Sequence, residues 1–341
     1  MKFAASAPAK AILFGEHSVN RGQSALAVSV GLRARCTIEE SAVDGLTLEG
    51  GNEHQSTTRA ALMELAAQVD GWHTTQNYEE IRNLARADYF APAKYILAHG
   101  LPGAAAGGLR IEWHSDIPAA GGLGSGAASF VALACALAAM RGASDGGFSA
   151  DRDAIGKLAY LGDVIAHGGI ASALDTQTSL HGGAIEYTQE HWGRPVPANA
   201  GLCIVIGNTK KRGPTSEVNA GVRAWLARDA TRMAYFQMIG TVSTAARAPL
   251  AAGDWRTLGS LMNLNQLVLE RIGVSTPQLE DLNRAALSAG AFGAKLSGSG
   301  GGGIMLALTS SETSDAVAHA ITRAGGEAFI PPVCVAGAMT L

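Results

Sequence analysis

The chain has 341 residues, of which 47% are hydrophobic and 16% charged, and its formal net charge is −3. That much apolar matter fills a core, so a disordered chain is excluded, and the length suits one large unit or two domains of ordinary size. With no basic excess, general nucleic-acid binding and adhesion to a membrane surface are excluded too.

Taken in chain order, the apolar run "AKAILFGEH" ends in glycine and charge, as a strand would. "SALAVSVGLRARCTIEE" continues in strand, alternating near its end. Residues 57–68 carry helical spacing through Leu62, Leu65 and Ala66, and residues 79–99 do so through Ile81, Leu84, Ala85, Tyr95 and Ile96. "LRIEWHSDIP" alternates at Leu109, Ile111 and Trp113 and runs into a glycine-rich loop, followed by a helix over 126–140. A further helix is predicted over 151–167 and a strand at "GGAIEYT". The stretch "HWGRPVPANAG", rich in proline and glycine, marks a boundary between a domain of 1–195 and one of 196–341. Beyond it come a buried strand, "LCIVIGNT", and helices over about 215–250 and 254–271, the second with Leu258, Leu261, Met262 and Val268 on one stripe. "QLEDLNRAALSAGA" reads as helix, "AKLSGSGGGGIMLAL" as a loop entering a strand, and "SDAVAHAITRAGG" as a last helix with a glycine cap. No internal repeat is visible, and the mixture argues for an α+β protein with two lobes.

The four cysteines, Cys36, Cys135, Cys203 and Cys334, form no CxxC pair, so a zinc ribbon or thioredoxin-type site is excluded. Reduced, buried thiols in a cytoplasmic protein are the expectation. The N-terminus does not read as a signal peptide. The longest apolar stretch, residues 127–140, is shorter than the roughly 20 residues that span a bilayer. No HExxH or other metal-ligand spacing links the histidines.

The stretch "SDIPAAGGLGSGAAS" places clustered glycines directly before an alanine-rich helix. Backbone N–H groups at a helix N-terminus point outward unpaired, and the helix dipole adds positive potential. Glycines let such a backbone approach an anion without side-chain obstruction, so the stretch suits phosphate; on physics alone it is equally an ordinary turn. It carries neither the Gly-Lys-Ser/Thr of a Walker loop nor a dinucleotide fingerprint.

"PAAGGLGSGAAS" resembles the second motif of the GHMP kinases, small-molecule kinases named for galactokinase, homoserine kinase, mevalonate kinase and phosphomevalonate kinase. Pro118, Gly122, Leu123, Gly124, Ser125, Ala127 and Ala128 match the family pattern, and Gly126 stands where a second serine is usual. "APAKAILFGEHSVNRGQSAL" resembles the first motif and "GAFGAKLSGSGGGGIMLAL" the third. The resemblance covers essentially the whole chain. It implies a two-lobed α+β fold, with an N-terminal βαβ-type nucleotide-binding domain and a C-terminal ferredoxin-like α/β domain. Within the family, "GEHSV" after "KAILFG" resembles the mevalonate kinase branch, whereas galactokinases carry Thr-Asp after the histidine. "NTKKRGPTSEVNAGVRA" and "MNLNQLVLERIGVSTPQLEDL" are similar to that branch as well.

The resemblance implies ATP and Mg²⁺ as cofactors, mevalonate as a small-molecule substrate, and suggests a homodimer. It implies ATP along Pro118, Gly121, Gly122, Leu123, Gly124, Ser125, Gly126, Ala127 and Ala128, with Ser125 and Asp163 on the metal. "DVIAHGGIASALDTQTSLHGGAI" resembles the catalytic segment, so Asp175 falls on the family's catalytic aspartate, while Ala171 and Ala173 replace its proline and glycine. Asp163 replaces a glutamate; alone it would read as a solvated helix acid. Lys10 falls on the active-site lysine. A charge inside an apolar run would be costly unless paired, and Asp175 would pair it. Glu16, His17, Ser172, Gly298 and Ser299 are implied at the substrate, His17 as a hydrogen-bond donor and Glu16 as an orienting or structural acid. Two alternatives stay open: another GHMP kinase of different acceptor, or an inactive homologue that senses ATP and a small ligand.

Overall fold

Two long strands open the chain, and the first is buried at every residue from Ala5 to Phe14, which its mostly small side chains allow. β1 (Lys2–Phe14) and β2 (Ala25–Ser41) pair antiparallel along most of their length, with a bulge after Pro8, where a missing amide is tolerated. The computed structural model describes residues 1–102, 107–118, 122–144, 151–211 and 215–341.

β3 (Leu46–Gly50), β4 (Glu53–Thr57), β5 (Gly108–Ser115), β6 (Ala184–Tyr187), β7 (Arg194–Val196) and β12 (Met339–Thr340) complete an eight-stranded sheet, whose main path runs β12-β1-β2-β5-β3-β4. Among the described residues its parallel pairing is β3 with β5, joined through α1 (Arg59–Thr74), α2 (Tyr78–Ala87) and α3 (Ala91–Gly100). That crossover is the βαβ element of the sheet; the other pairings are antiparallel. α4 (Ser125–Ser144) and α6 (Leu174–His181) cover its inner side, and α5 (Arg152–Ala166) packs on α4.

A second, four-stranded sheet runs β11-β8-β10-β9, from β8 (Cys203–Asn208), β9 (Gly293–Ser297), β10 (Ile304–Thr309) and β11 (Glu327–Phe329). All its pairings are antiparallel, and α10 (Trp255–Ile272), α11 (Pro277–Ser288) and α12 (Ser314–Arg323) supply the crossovers of a ferredoxin-like split βαβ. The strand β12 then returns to β1, with Ala5 opposite Thr340.

Several elements differ from the sequence reading. The stretch 79–99 is two helices, because Asp88 Oδ1 accepts from the Phe90 amide at 2.9 Å and opens a new helix with proline in its first turn. The stretch 215–250 divides into α7 (Thr215–Ala227), α8 (Met233–Ala245) and α9 (Arg247–Ala252); Asp229 caps a short turn by accepting from Thr231. The loop read from residue 294 is strand up to Ser297. The helix α4 has 20 residues, so it is long and apolar enough to cross a membrane. It lies instead in the core, with 67% of its most apolar window buried, between β1, β2 and α5.

Candidate active site

Lys10 lies in the middle of β1 and is 3% exposed. Its Nζ stands 3.1 Å from Asp175 Oδ2 and donates to the Gly122 carbonyl at 3.2 Å, while its amide donates to Leu123 O at 2.9 Å. One side chain therefore joins the glycine-rich loop to the aspartate. An unpaired ammonium in this position would be strongly unfavourable, and the carboxylate and carbonyl together resolve that.

The loop itself is shaped by Gly122 and Gly124, both with φ of 72°. Its chain enters α4 at Ser125, so the unpaired amides of the first turn face the loop. Leu123, Ala127 and Ala128 are buried and fix the helix start against the core, while Gly126 is exposed. Pro118 precedes the loop at intermediate burial, and Gly121 lies outside the described residues. Hydrogen-bond donors at a helix start beside a buried lysine form a cradle for anionic oxygens.

Asp175 occupies the first turn of α6, and its side chain is 21% exposed, open enough to reach a ligand. Asp163, on α5, is 2% exposed; its Oδ2 accepts from Thr176 Oγ1 at 3.1 Å, and its Oδ1 lies 3.4 Å from His167 Nδ1. Burial works against the charged His167 ring, but the Asp163 carboxylate outweighs it and raises the pKa to about 9. Because the ring remains 42% exposed, solvent screens part of that attraction. Ser172 is half-buried in the turn between α5 and α6.

The second sheet meets the first at this point. Ser297 Oγ accepts from the Ile12 amide at 3.0 Å and lies 3.1 Å from the Ile12 carbonyl. Glu16 and Lys295 form an ion pair with both side chains fully buried, and Lys295 also donates to the Leu296 carbonyl. Burial pushes the Glu16 carboxyl up and the Lys295 ammonium down, while their contact opposes both shifts. Glu16 thus faces Lys295, with its Oε2 buried and without a protein partner. Sequence reasoning missed Lys295, although a lysine in the apolar run "GAKLS" is the signal that had marked Lys10.

His17 has a left-handed backbone, φ 61°, held by Arg21, which donates to its carbonyl at 2.5 Å. Its Nε2 donates to the Ser299 carbonyl at 2.8 Å, and burial lowers its pKa to about 4. With Nε2 donating to Ser299, the neutral ring carries no hydrogen on Nδ1. Ser299 Oγ lies 3.2 Å from Thr215 Oγ1, and Gly298 opens the same loop with φ 93°. A separate cleft of about 610 Å³, between α3, α4 and α5, shares no residue with this centre.

Residues 88–183 match the GHMP kinases N terminal domain, and residues 246–327 match the GHMP kinases C terminal region. The chain is 32% identical over 352 residues to a mevalonate kinase of Thermococcus gammatolerans, covering 99% of this chain and 98% of that one. The chain belongs to the GHMP kinase family. This GHMP kinase is also 32% identical to a mevalonate kinase of Pyrococcus furiosus, over 98% of this chain and 96% of the relative. Its fold superposes with a TM-score of 0.76 on the crystal structure of L. major mevalonate kinase in complex with R-mevalonate, at 23% identity over 97% of this chain and 95% of that one. As a member of an ATP-dependent kinase family it transfers phosphate from ATP to a small molecule.

Proposed function

We propose that this GHMP kinase phosphorylates the primary hydroxyl of (R)-mevalonate to give 5-phosphomevalonate. Near-full-length identity to mevalonate kinases supports the acceptor. The observation that carries the chemistry is Lys10 Nζ at 3.1 Å from Asp175 Oδ2 and 3.2 Å from the Gly122 carbonyl, at the mouth of the α4 N-terminus.

Phosphoryl transfer passes through a loose transition state, so alignment and charge stabilisation dominate catalysis. The loop amides and the α4 dipole bind the phosphates of ATP, and Lys10 compensates charge on the transferring group. Asp175 accepts, or by orientation weakens the hold on, the proton of the substrate hydroxyl. Lys10 keeps that carboxylate aimed. The 298–303 loop and His17 wall the acceptor pocket. Residues 1–195 bind the nucleotide in this reading, and 196–341 close the pocket.

The hydroxyl of Ser125 and the carboxylate of Asp163 are hard oxygen donors, which suit Mg²⁺. Among the described residues no cluster of three acidic or imidazole ligands exists, as fits an ion held largely by nucleotide phosphates. Ser125 and Asp163 would hold Mg²⁺, which would supply neutralisation of phosphate charge.

A coupled ADP-release assay with Mg-ATP tests the reading against mevalonate, phosphomevalonate, galactose and homoserine. Turnover on mevalonate alone is expected, with a loss of about 10²–10⁴-fold in Asp175→Asn. Turnover on a different acceptor would move the substrate assignment and leave the centre intact. ATP binding without turnover on any acceptor would favour a sensor.

A further inference from the structure

The turn that delivers Asp175 is held by two tyrosines. Tyr160 Oη donates to the Ala171 carbonyl at 2.7 Å. On the other side of Ser172, Ala173 lies in the apolar cluster of Tyr187. Tyr187 is 5% exposed and packs with Ala173 and Leu174 against Ile12, and Tyr160 packs on the same cluster. The Tyr160 ring is itself seated edge-on against Trp192, with centroids 4.7 Å apart and an interplanar angle of 67°.

Packing fixes the far end of the turn, where Ala173 and Leu174 are fully buried, whereas Ala171 and Ser172 are only partly buried. Ala173 is the N-cap of α6, and its side chain makes no cap hydrogen bond. A proline at 171 would fix φ near −65° before α6 begins, whereas alanine leaves it free. Tyr160 sits on α5 three residues before Asp163, so both point from one helix face toward the same segment. Asp163 takes the Thr176 hydroxyl, one residue past Asp175, and Tyr160 takes the carbonyl four residues before Asp175. The segment 171–176 is thus pinned to α5 at both ends, with Asp175 between the pins.

We propose that Tyr160 is a positioning residue for Asp175, its hydroxyl holding the Ala171 carbonyl and with it the turn that carries the aspartate. The proposal rests on the reading that Asp175 handles the acceptor hydroxyl. Burial raises the Tyr160 pKa to about 12, so its hydroxyl remains a donor throughout the working pH range.

Tyr160→Phe keeps the ring and its Trp192 contact and removes only the donor. The expected result is a roughly five- to tenfold fall in kcat on mevalonate, the worth of one neutral hydrogen bond, with KM for ATP unchanged. Amide hydrogen exchange should speed up within 168–176 and stay at the wild-type rate in β1 and the second sheet. Adding Ala171→Pro to Tyr160→Phe should restore both the exchange protection and kcat. Wild-type kcat and exchange in Tyr160→Phe would overturn the proposal. So would failure of the proline to restore them, or a loss shared by KM for ATP, exchange across the whole chain and the thermal midpoint. If the wild-type protein does not phosphorylate mevalonate, the functional reading fails separately, and local exchange with its rescue still decides whether Tyr160 fixes the turn.

Discussion

The α-carbon of Gly124 faces the stem of Lys10 so closely that a Cβ there would lie 2.9 Å from both Cγ and Cε. The backbone of Gly124 is also left-handed, with φ 72°. Gly124→Ala therefore combines a backbone strain of about 1–2 kcal/mol with a collision against a buried side chain that cannot swing away. Lys10 would shift off Asp175. The expected outcome is at least a tenfold fall in kcat/KM in the ADP-release assay. Wild-type kinetics in Gly124→Ala would show that the lysine's placement is not set by this contact.

Glu16 and Lys295 connect the first motif to β9 across the two sheets, with no exposure at either side chain. Lys295→Met leaves a carboxylate buried without a cation and should destabilise the fold by about 3–5 kcal/mol. Replacing both, as Glu16→Met with Lys295→Met, removes the stranded charge and should recover most of that loss. Urea unfolding of the three proteins at neutral pH reads the comparison. A double variant no more stable than Lys295→Met would mean that the pair is not the source of the cost.

His17 gives a pH dependence of definite sign. Its folded pKa, about 4, lies below the ordinary value of 6.5 because burial disfavours the imidazolium. Between these values the unfolded chain binds more protons, so stability rises with pH. The contribution is complete above pH 6.5 and is lost as pH falls toward 4, amounting to about 3 kcal/mol in all. Unfolding free energies at pH 7 and pH 5 should differ less in His17→Gln than in the wild type. Equal differences would place the acid sensitivity in other groups.

Gly126 departs from the family's second serine, yet the position has room. A Cβ there would meet only Phe130, at 3.5 Å, an ordinary contact. Gly126→Ser should therefore be accommodated, add about 0.5 kcal/mol to the stability of α4, and present a second hydroxyl at the phosphate cradle. A lower KM for Mg-ATP with unchanged KM for mevalonate is the expected kinetic signature. A raised KM for ATP would indicate that the exposed glycine is needed for close backbone approach.

Much of the centre was legible because its residues sit in short contiguous stretches. Lys10 announced itself as a charge in an apolar strand, and Asp175 came from a segment resemblance; the structure places them 3.1 Å apart. What escaped was of two kinds. Contacts across long sequence separations, such as Lys295 with Glu16 or Ser299 with His17, depend on how two sheets meet, which no local pattern encodes. Helix breaks at Asp88 and Asp229 were hidden because apolar spacing continues through them, while a single side-chain oxygen ends one helix and begins the next. α4 runs past Met140, its last bulky apolar residue, because Arg141, Gly142 and Ala143 carry the helix on to Ser144 without an apolar signal.

The return of β12 to β1 sets the mechanics of the whole protein. The Leu341 amide donates to the Ala4 carbonyl at 2.8 Å, so the two ends of the chain lie side by side on the first sheet. The second sheet is therefore an insert, entered between Val196 and Cys203 and left between Phe329 and Met339. The exit strand is itself anchored, through Val333 opposite Val30 and Ala336 opposite Gly182. An insert held by two covalent struts cannot swing open like a door on one hinge. The two sheets also share one apolar core, in which Leu306 and Leu308 of β10 cluster with Phe14 and Leu26 of the first sheet, so the insert is tied to its host by packing as well as by chain.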